Sequence, residues 1–328
     1  MRALIATSAA DARATAWADV PRPVPGPSGV LVAVKAVGLN RADLTYGDYH
    51  FQGLPCAARR NAGIELAGEV VEAGSDVDGV RVGDRIMAMA NDAAAEFAVV
   101  DHRALLKVPA RLSWVEAAAV PVAFLTAHDA LVTHAALRPG ESVLVQAASS
   151  GVGTAAIQVA RARGAGPIFG TAGSRQKLRD LQRYGLDCGI DYLQQDFARV
   201  IETETGGRGV DVIFDMVGAS AFDPNLACAA TGARILNVGR LGGRRVELDL
   251  TEVAQRRLQL LGVSFRTRSL EQISRAIAAF EADCMVDLAS GTLRPVVDRV
   301  FPAAEASLAY AYLSNARHIG KTVLSFAC

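Results

Sequence analysis

The chain has 328 residues, 51% hydrophobic and 21% charged, with 34 Lys plus Arg set against 34 Asp plus Glu. That length suggests about two domains with ample core, and the apolar content excludes a disordered chain. A formal net charge of zero provides no global field to draw a phosphate backbone or an anionic lipid surface, so neither nucleic acid nor membrane is expected as a partner.

The five cysteines, Cys56, Cys188, Cys228, Cys284 and Cys328, form no C-x-x-C pair and read as reduced thiols of a cytoplasmic protein. The apolar stretch at 3–6 is shorter than the core of a signal peptide, and the longest apolar run, 117–127, carries Pro121. Neither export nor membrane insertion is expected.

In the first third, short runs rich in Val and Ala at 30–37, 67–71, 85–90 and 96–100 are separated by Gly, Asp and Pro, the spacing of a mostly β unit. Four prolines in 21–27 mark an extended connector. From Ser142 to about Phe265 an apolar run, a glycine turn and a helical pattern recur, which is the rhythm of a parallel sheet with crossover helices. Strands are predicted at 142–147, 166–171, 188–191, 210–215 and 234–238, all five buried. A helix carrying Ile273, Ile277 and Phe280 then leads to strands at 293–301 and 322–326, a tail expected to rejoin the first domain.

The sharpest local signal is VLVQAASSGVGT at 143–154, a buried strand, a turn of small residues and a helix with Val152, Ala155, Ala156, Val159 and Ala160 on one face. The first-turn amides and positive dipole end of such a helix suit a pyrophosphate. Against the G-x-G-x-x-G fingerprint the key positions are Ala148, Ser150 and Gly153, with Gly151 as an extra glycine. Two of the three glycines are replaced, and a plain tight α/β connection is the alternative reading. Where an NAD site places an acid on the ribose, about 20 residues on, the chain offers Thr171, Ser174, Arg175 and Lys177. Hydroxyls and cations suit a 2′-phosphate, so NADPH is favoured over NADH. Solvated charge on a surface helix is the alternative for Arg175 and Lys177.

In order along the chain stand GLNRAD at 38–43, GIELAG at 63–68, VGDR at 82–85, AAAVPVAFLTAHDA at 117–130, AASSGVG at 147–153, GVDVIFD at 209–215 and RHIGK at 317–321. With these blocks the chain resembles, over nearly its whole length, the medium-chain dehydrogenase/reductase superfamily, specifically its zinc-free quinone oxidoreductase branch. VPVAFLT at 120–126, LRPGE at 137–141 and RHIGK also look like the enoyl reductase domains of modular polyketide synthases. The resemblance implies an α/β protein in which a Rossmann doubly wound parallel sheet (121–265) is inserted in a mostly β GroES-like catalytic domain (1–120 with 266–328). Dinucleotide and substrate would meet between the two.

It further implies a homodimer and a cofactor site made of Thr126, Ala148, Ser150, Gly151, Val152, Gly153, Ser174, Arg175, Lys177, Tyr192, Val238, Gly239 and Phe265. Tyr192 would hold the 2′-phosphate, and Thr126 would face the nicotinamide and the substrate. Helix or strand packing is the alternative for Thr126, Val238, Gly239 and Phe265.

Zinc-dependent members of that family place a Cys where this chain has Asn40, a His where it has Ile64 and a third ligand near Val122. The four-cysteine lobe is also absent, with no Cys between Cys56 and Cys188, so no metal is expected. Nothing would then polarise an ordinary carbonyl. Hydride transfer without a Lewis acid needs an acceptor that delocalises incoming charge, such as a quinone, an enone or an enoyl thioester, helped by hydrogen-bond donors. Asn40, as amide donor, and Tyr46, as phenol, are the expected catalytic residues, with Tyr49 beside the substrate.

Asp43 and Glu65 are expected as structural ion-pair partners, the five histidines as surface or capped residues, and Asp215 as a strand end or turn former. Loops 47–60 and 267–271 are expected to set acceptor choice. The leading expectation is an NADPH-dependent, zinc-independent reductase of quinones or other conjugated carbonyls, acting on a small molecule. The alternatives are a stand-alone enoyl thioester reductase of a polyketide-type pathway and a non-catalytic NADPH-binding protein.

Overall fold

The computed structural model describes residues 1–6, 15–45, 50–56, 61–315 and 317–326. The chain divides into two units, Met1–Leu125 with Phe265–Cys328, and Thr126–Ser264.

The first unit opens with an antiparallel ribbon of β1 (Arg2–Ala6) and β2 (Thr15–Asp19). It continues through β3 (Gly29–Leu39), α1 (Arg41–Thr45), β4 (Glu65–Ala73), β5 (Arg85–Met89), β6 (Phe97–Asp101), β7 (Leu105–Lys107) and α2 (Trp114–Ala118). Val30, Val32, Val34 and Val37 of β3 are buried, because strands pack on both flanks of β3 and its β-branched residues suit a pleated, covered surface. Ser113 and Glu116 form a capping box that starts α2, each satisfying a backbone donor the helix leaves open. Helix α3 (Pro121–His128) follows and widens into a π-helical segment, Asp129–His134.

The second unit holds β8 (Val143–Val145), α4 (Gly151–Ala162), β9 (Ile168–Ala172), α5 (Arg175–Gln182), β10 (Cys188–Asp191), α6 (Phe197–Glu204), β11 (Val210–Asp215), α7 (Ala219–Cys228), β12 (Ala229–Asn237), α8 (Leu250–Arg256) and β13 (Gln259–Gly262). Its six strands run parallel in the order β10-β9-β8-β11-β12-β13. Strand order reverses between β8 and β11, and the crevice at their carboxyl ends is the place where such sheets take ligands.

Helix α9 (Leu270–Ser290), β14 (Val297–Pro302), α10 (Ala306–Ser314) and β15 (Lys321–Ser325) return to the first unit. Thr322 of β15 pairs with Leu39 of β3, and the main sheet reads β14-β15-β3-β4-β5-β7, with β6 also paired to β3. The tail thus rejoins the first unit, as its hydrophobic pattern suggests.

Two expectations are corrected. Strand β10 is not fully buried: Cys188 is half-buried and Gly189 exposed, because β10 lies at the sheet edge and is covered from one side only. The sixth strand, β13, is absent from the sequence reading because Gln259 and Leu260 are exposed on the opposite open edge, where no buried run announces a strand. No helix among the described residues is long and apolar enough to cross a membrane.

Candidate active site

In the first unit, four separated parts of the chain meet around one buried ammonium. Lys321 Nζ donates to Leu39 O at 2.7 Å, Asn40 Oδ1 at 2.6 Å and Glu65 Oε1 at 2.5 Å, which uses its three donors. Asn40 Nδ2 donates to Glu65 Oε1 at 2.8 Å and to Gly38 O at 3.2 Å. The other carboxylate oxygen, Glu65 Oε2, accepts the N–H of Val122 at 2.7 Å, at the first turn of α3, where anionic charge is favoured. Gly38 makes the approach possible, since a Cβ there would stand 2.4 Å from Glu65 Oε1.

This geometry revises the reading of Asn40. Both of its amide hydrogens are spent inside the protein, so the side chain holds the frame of the site and has no donor left for an acceptor oxygen. Glu65 is the structural ion-pair partner expected of it, whereas Asp43 accepts the backbone N–H of Asn40 at 2.7 Å. Burial, opposed by that N–H and by Lys321, pushes the Asp43 carboxyl up to about 7. Burial and the Asp43 charge also push the Tyr310 phenol well up, and its Oη has no hydrogen-bond partner among the described residues. Ile64 is buried and Val122 half-buried. Tyr46 and Tyr49 lie outside the described residues.

In the second unit the turn after β8 is built by close contacts. Gln146 N donates to Phe214 O, and Ala148 N donates to Thr171 O at 2.9 Å, which ties the turn to both neighbouring strands. Between them Ala147 adopts φ +49°, a left-handed conformation that costs a non-glycine residue roughly 1 kcal/mol. Ser150 caps α4, its Oγ accepting the N–H of Gly153 at 3.0 Å. A Cβ at Gly153 would stand 2.5 Å from Ala147 O, so glycine here lets helix and strand approach as the third fingerprint glycine does. Gly151 and Val152, both half-buried, supply first-turn amides that have no intrahelical acceptor.

The turn after β9 is built as closely. Tyr192 packs over Gly173, where an added Cβ would lie 3.0 Å from Tyr192 Oη. Tyr192 is 55% exposed and the adjacent Leu193 65% exposed. Asp191 shapes this loop by accepting the N–H of Leu193. Ser174 caps α5, its Oγ accepting the N–H of Lys177, with Arg175 exposed and Lys177 half-buried. Tyr192, Ser174, Arg175 and Lys177 therefore gather at one turn, hydroxyls and cations of the chemistry that could hold a phosphate group. Thr171 does not: its hydroxyl is buried and donates to Gln146 Oε1 at 2.5 Å, and Gln146 Nε2 in turn donates to Asn225 Oδ1.

Val238 and Gly239 are half-buried, their N–H groups donating to Asp215 O at 2.9 and 3.1 Å. Asp215 is a turn former, its Oδ1 accepting from Val217 and Gly218; burial raises its carboxyl above the ordinary range. Two expected cofactor residues face inward instead. Ala148 is fully buried against Gly170, and Phe265 is buried in the first unit under the Arg268 guanidinium. Thr126 is half-buried on α3. His128 is buried rather than superficial.

Sequence reasoning passed over Ser149, half-buried in the same turn, and Met216, which touches both Ser150 Oγ and the Gly239 backbone. A small polar residue inside the fingerprint was the available signal for Ser149; Met216 carried none.

Two family models match: the alcohol dehydrogenase GroES-like domain over residues 26–110 and zinc-binding dehydrogenase over 151–282. The chain is 31% identical to quinone oxidoreductase-like protein 2 of Bos taurus over 93% of its own length and 87% of that protein. It is 36% identical to spectinabilin polyketide synthase system protein NorB of Streptomyces orinoci over 91% of its length, which spans only 13% of that much longer protein. Among solved structures, the mycobacterial protein Rv1454c complexed with NADPH superposes with a TM-score of 0.86 at 28% identity, covering 99% of each chain.

Proposed function

Because the chain belongs to the medium-chain dehydrogenase/reductase superfamily, in its quinone oxidoreductase branch, we propose that it is an NADPH-dependent, zinc-independent reductase of quinones or other conjugated carbonyls. The observation that carries the reading is the gathering of Tyr192, Ser174, Arg175 and Lys177 at the turn after β9, in a stretch, 168–177, without Asp or Glu. A bound nicotinamide dinucleotide would supply the hydride.

The chain's own residues have distinct tasks in this reading. Gly151 and Val152 offer amides at the positive end of α4 to a pyrophosphate, and Arg175 and Lys177 offer charge-assisted hydrogen bonds to a 2′-phosphate. Tyr46 orients the acceptor oxygen with its phenol, while Asn40, held by Lys321 and Glu65, keeps the preceding backbone in place. The hydrocarbon side chains of Ile64 and Val122 and the Lys321-bound Asn40 Oδ1 support chemistry without a metal ligand set. An acceptor that spreads incoming charge over its own conjugation then takes hydride with donors alone.

The 36% identity to a polyketide synthase segment favours a second reading, reduction of an enoyl thioester. For assembly we propose a homodimer through the open edge of β13, where Leu260 is 45% exposed and unpaired strand groups await a partner. The reading also assigns the protein to the reducing cytoplasm, in keeping with buried thiols such as Cys228, and assigns it no nucleic-acid or membrane partner, in keeping with its zero net charge.

The test follows NADPH and NADH oxidation against quinones, enones, enoyl thioesters and simple aldehydes. Turnover of the conjugated acceptors with NADPH is expected. Turnover of the aldehydes alone, or dependence on stoichiometric zinc, would overturn the reading.

A further inference from the structure

The described part of the first loop that the sequence marks for acceptor choice, 50–56, packs directly on the second within the first unit. Gln52 N donates to Arg266 O at 2.9 Å, and Gly53 lies so close to the second loop that a Cβ would stand 2.4 Å from Arg268 O and 2.5 Å from Leu270 N. The other side of the first loop is clamped by a single buried amide. Asn91 Oδ1 accepts the N–H of Phe51 at 2.8 Å, and the two hydrogens of Asn91 Nδ2 are shared among Phe51 O at 2.9 Å, Leu54 O at 3.2 Å and Pro55 O at 3.1 Å. The next residue, Asp92, stands at φ +57° and its Oδ1 accepts the N–H of Asn61 at 2.6 Å. One dipeptide thus grips the loop at 51–55 and again at 61.

A buried amide making four contacts is a demanding arrangement. Without it the buried Phe51 N–H and Leu54 O lose their Asn91 partner, and an unpaired buried backbone group costs about 1 to 3 kcal/mol, so the loop has one favoured position.

We propose that Asn91 and Asp92 are specificity-determining positioning residues, fixing the 51–55 segment against 266–270 and so setting which conjugated carbonyl the protein accepts. This rests on the reductase reading above and deepens it. Neither side chain needs to touch the acceptor; both act through the loop.

The experiment compares wild type with Asn91→Ala and with Asp92→Gly, a variant whose glycine tolerates the positive φ and which loses the side-chain contact to Asn61. Steady-state kinetics are run on the full acceptor panel, with NADPH affinity by nicotinamide fluorescence and Tm by thermal melting. The expected result is a reordered acceptor ranking, with KM for the preferred acceptor raised about tenfold or more in Asn91→Ala and NADPH affinity unchanged. Should Asn91→Ala not fold, Asp92→Gly alone decides, by a smaller shift in the same ranking. A lowered Tm with the ranking intact would reduce the pair to structural residues and overturn the proposal while leaving the reductase reading standing. A wild type that reduces no acceptor overturns both.

Discussion

Lys321 Nζ lies 2.5 Å from Glu65 Oε1, with side-chain exposures of only 5% and 0%. Two opposite charges this deep are tolerable because every donor and acceptor around them is matched: Leu39 O and Asn40 Oδ1 complete the ammonium, and Asn40 Nδ2 with Val122 N–H completes the carboxylate. Removing one partner leaves the other charged and unpaired, so Glu65→Gln or Lys321→Met is expected to lose about 3 to 5 kcal/mol. The double variant should recover part of that loss. Urea unfolding checks both; a single-variant loss under about 1 kcal/mol would contradict the network as drawn.

Asp43 makes stability depend on pH in an unusual direction. Its carboxyl rises from 3.8 to about 7, mainly through burial, so between these values the folded chain keeps a proton that the unfolded chain releases. The Asp43 contribution to stability therefore falls as pH climbs through this window and levels off above it. Asp43→Asn, which keeps an oxygen for the Asn40 N–H, should abolish that slope. Unfolding curves for wild type and variant at about pH 4 and about pH 8 test it; a constant difference between the two proteins would be the wrong outcome.

At the turn after β8, Gly153→Ala inserts a methyl group 2.5 Å from a carbonyl oxygen. The clash is with backbone, so helix or strand must shift, at a cost of about 1 to 3 kcal/mol, and NADPH affinity should fall with it. Ser150→Ala removes the cap and the Met216 contact, for about 1 kcal/mol. Thermal melts with and without NADPH separate the two effects. Equal affinity in Gly153→Ala and wild type would mean that the turn does not carry the ligand.

Arg175 and Lys177 should decide between the two dinucleotides. Replacing both with Ala is expected to erode the preference for NADPH over NADH by about 1 to 3 kcal/mol, read as the ratio of kcat/KM values. An unchanged ratio would return both residues to the role of solvated charge on α5.

The second unit was largely legible in the sequence because its inner strands are buried on both faces and appear as continuous apolar runs. Strand β13 escaped because an exposed edge leaves no such run, and the ribbon of β1 and β2 lies outside the repeating pattern altogether. Local motifs identified the tight turn between β8 and α4, since Ser150 and Gly153 act within three residues of each other. The role of Asn40 was not legible: its donors are consumed by Glu65 and Gly38 and its acceptor by Lys321, and no local rule pairs residues so far apart. Asn91 was hidden for the same reason, its partners lying about forty positions earlier.

The separation of 256 positions between Glu65 and Lys321 also bears on how the protein is made. At roughly 5 to 20 residues per second, a ribosome delivers the lysine on the order of 10 to 50 s after the glutamate, and until then the carboxylate has no cation and β3 lacks its β15 neighbour. The intervening stretch, Thr126–Ser264, is contiguous and can fold during that interval. Synthesis should therefore produce the second unit first and close the other one last, with Lys321 as the piece that completes it.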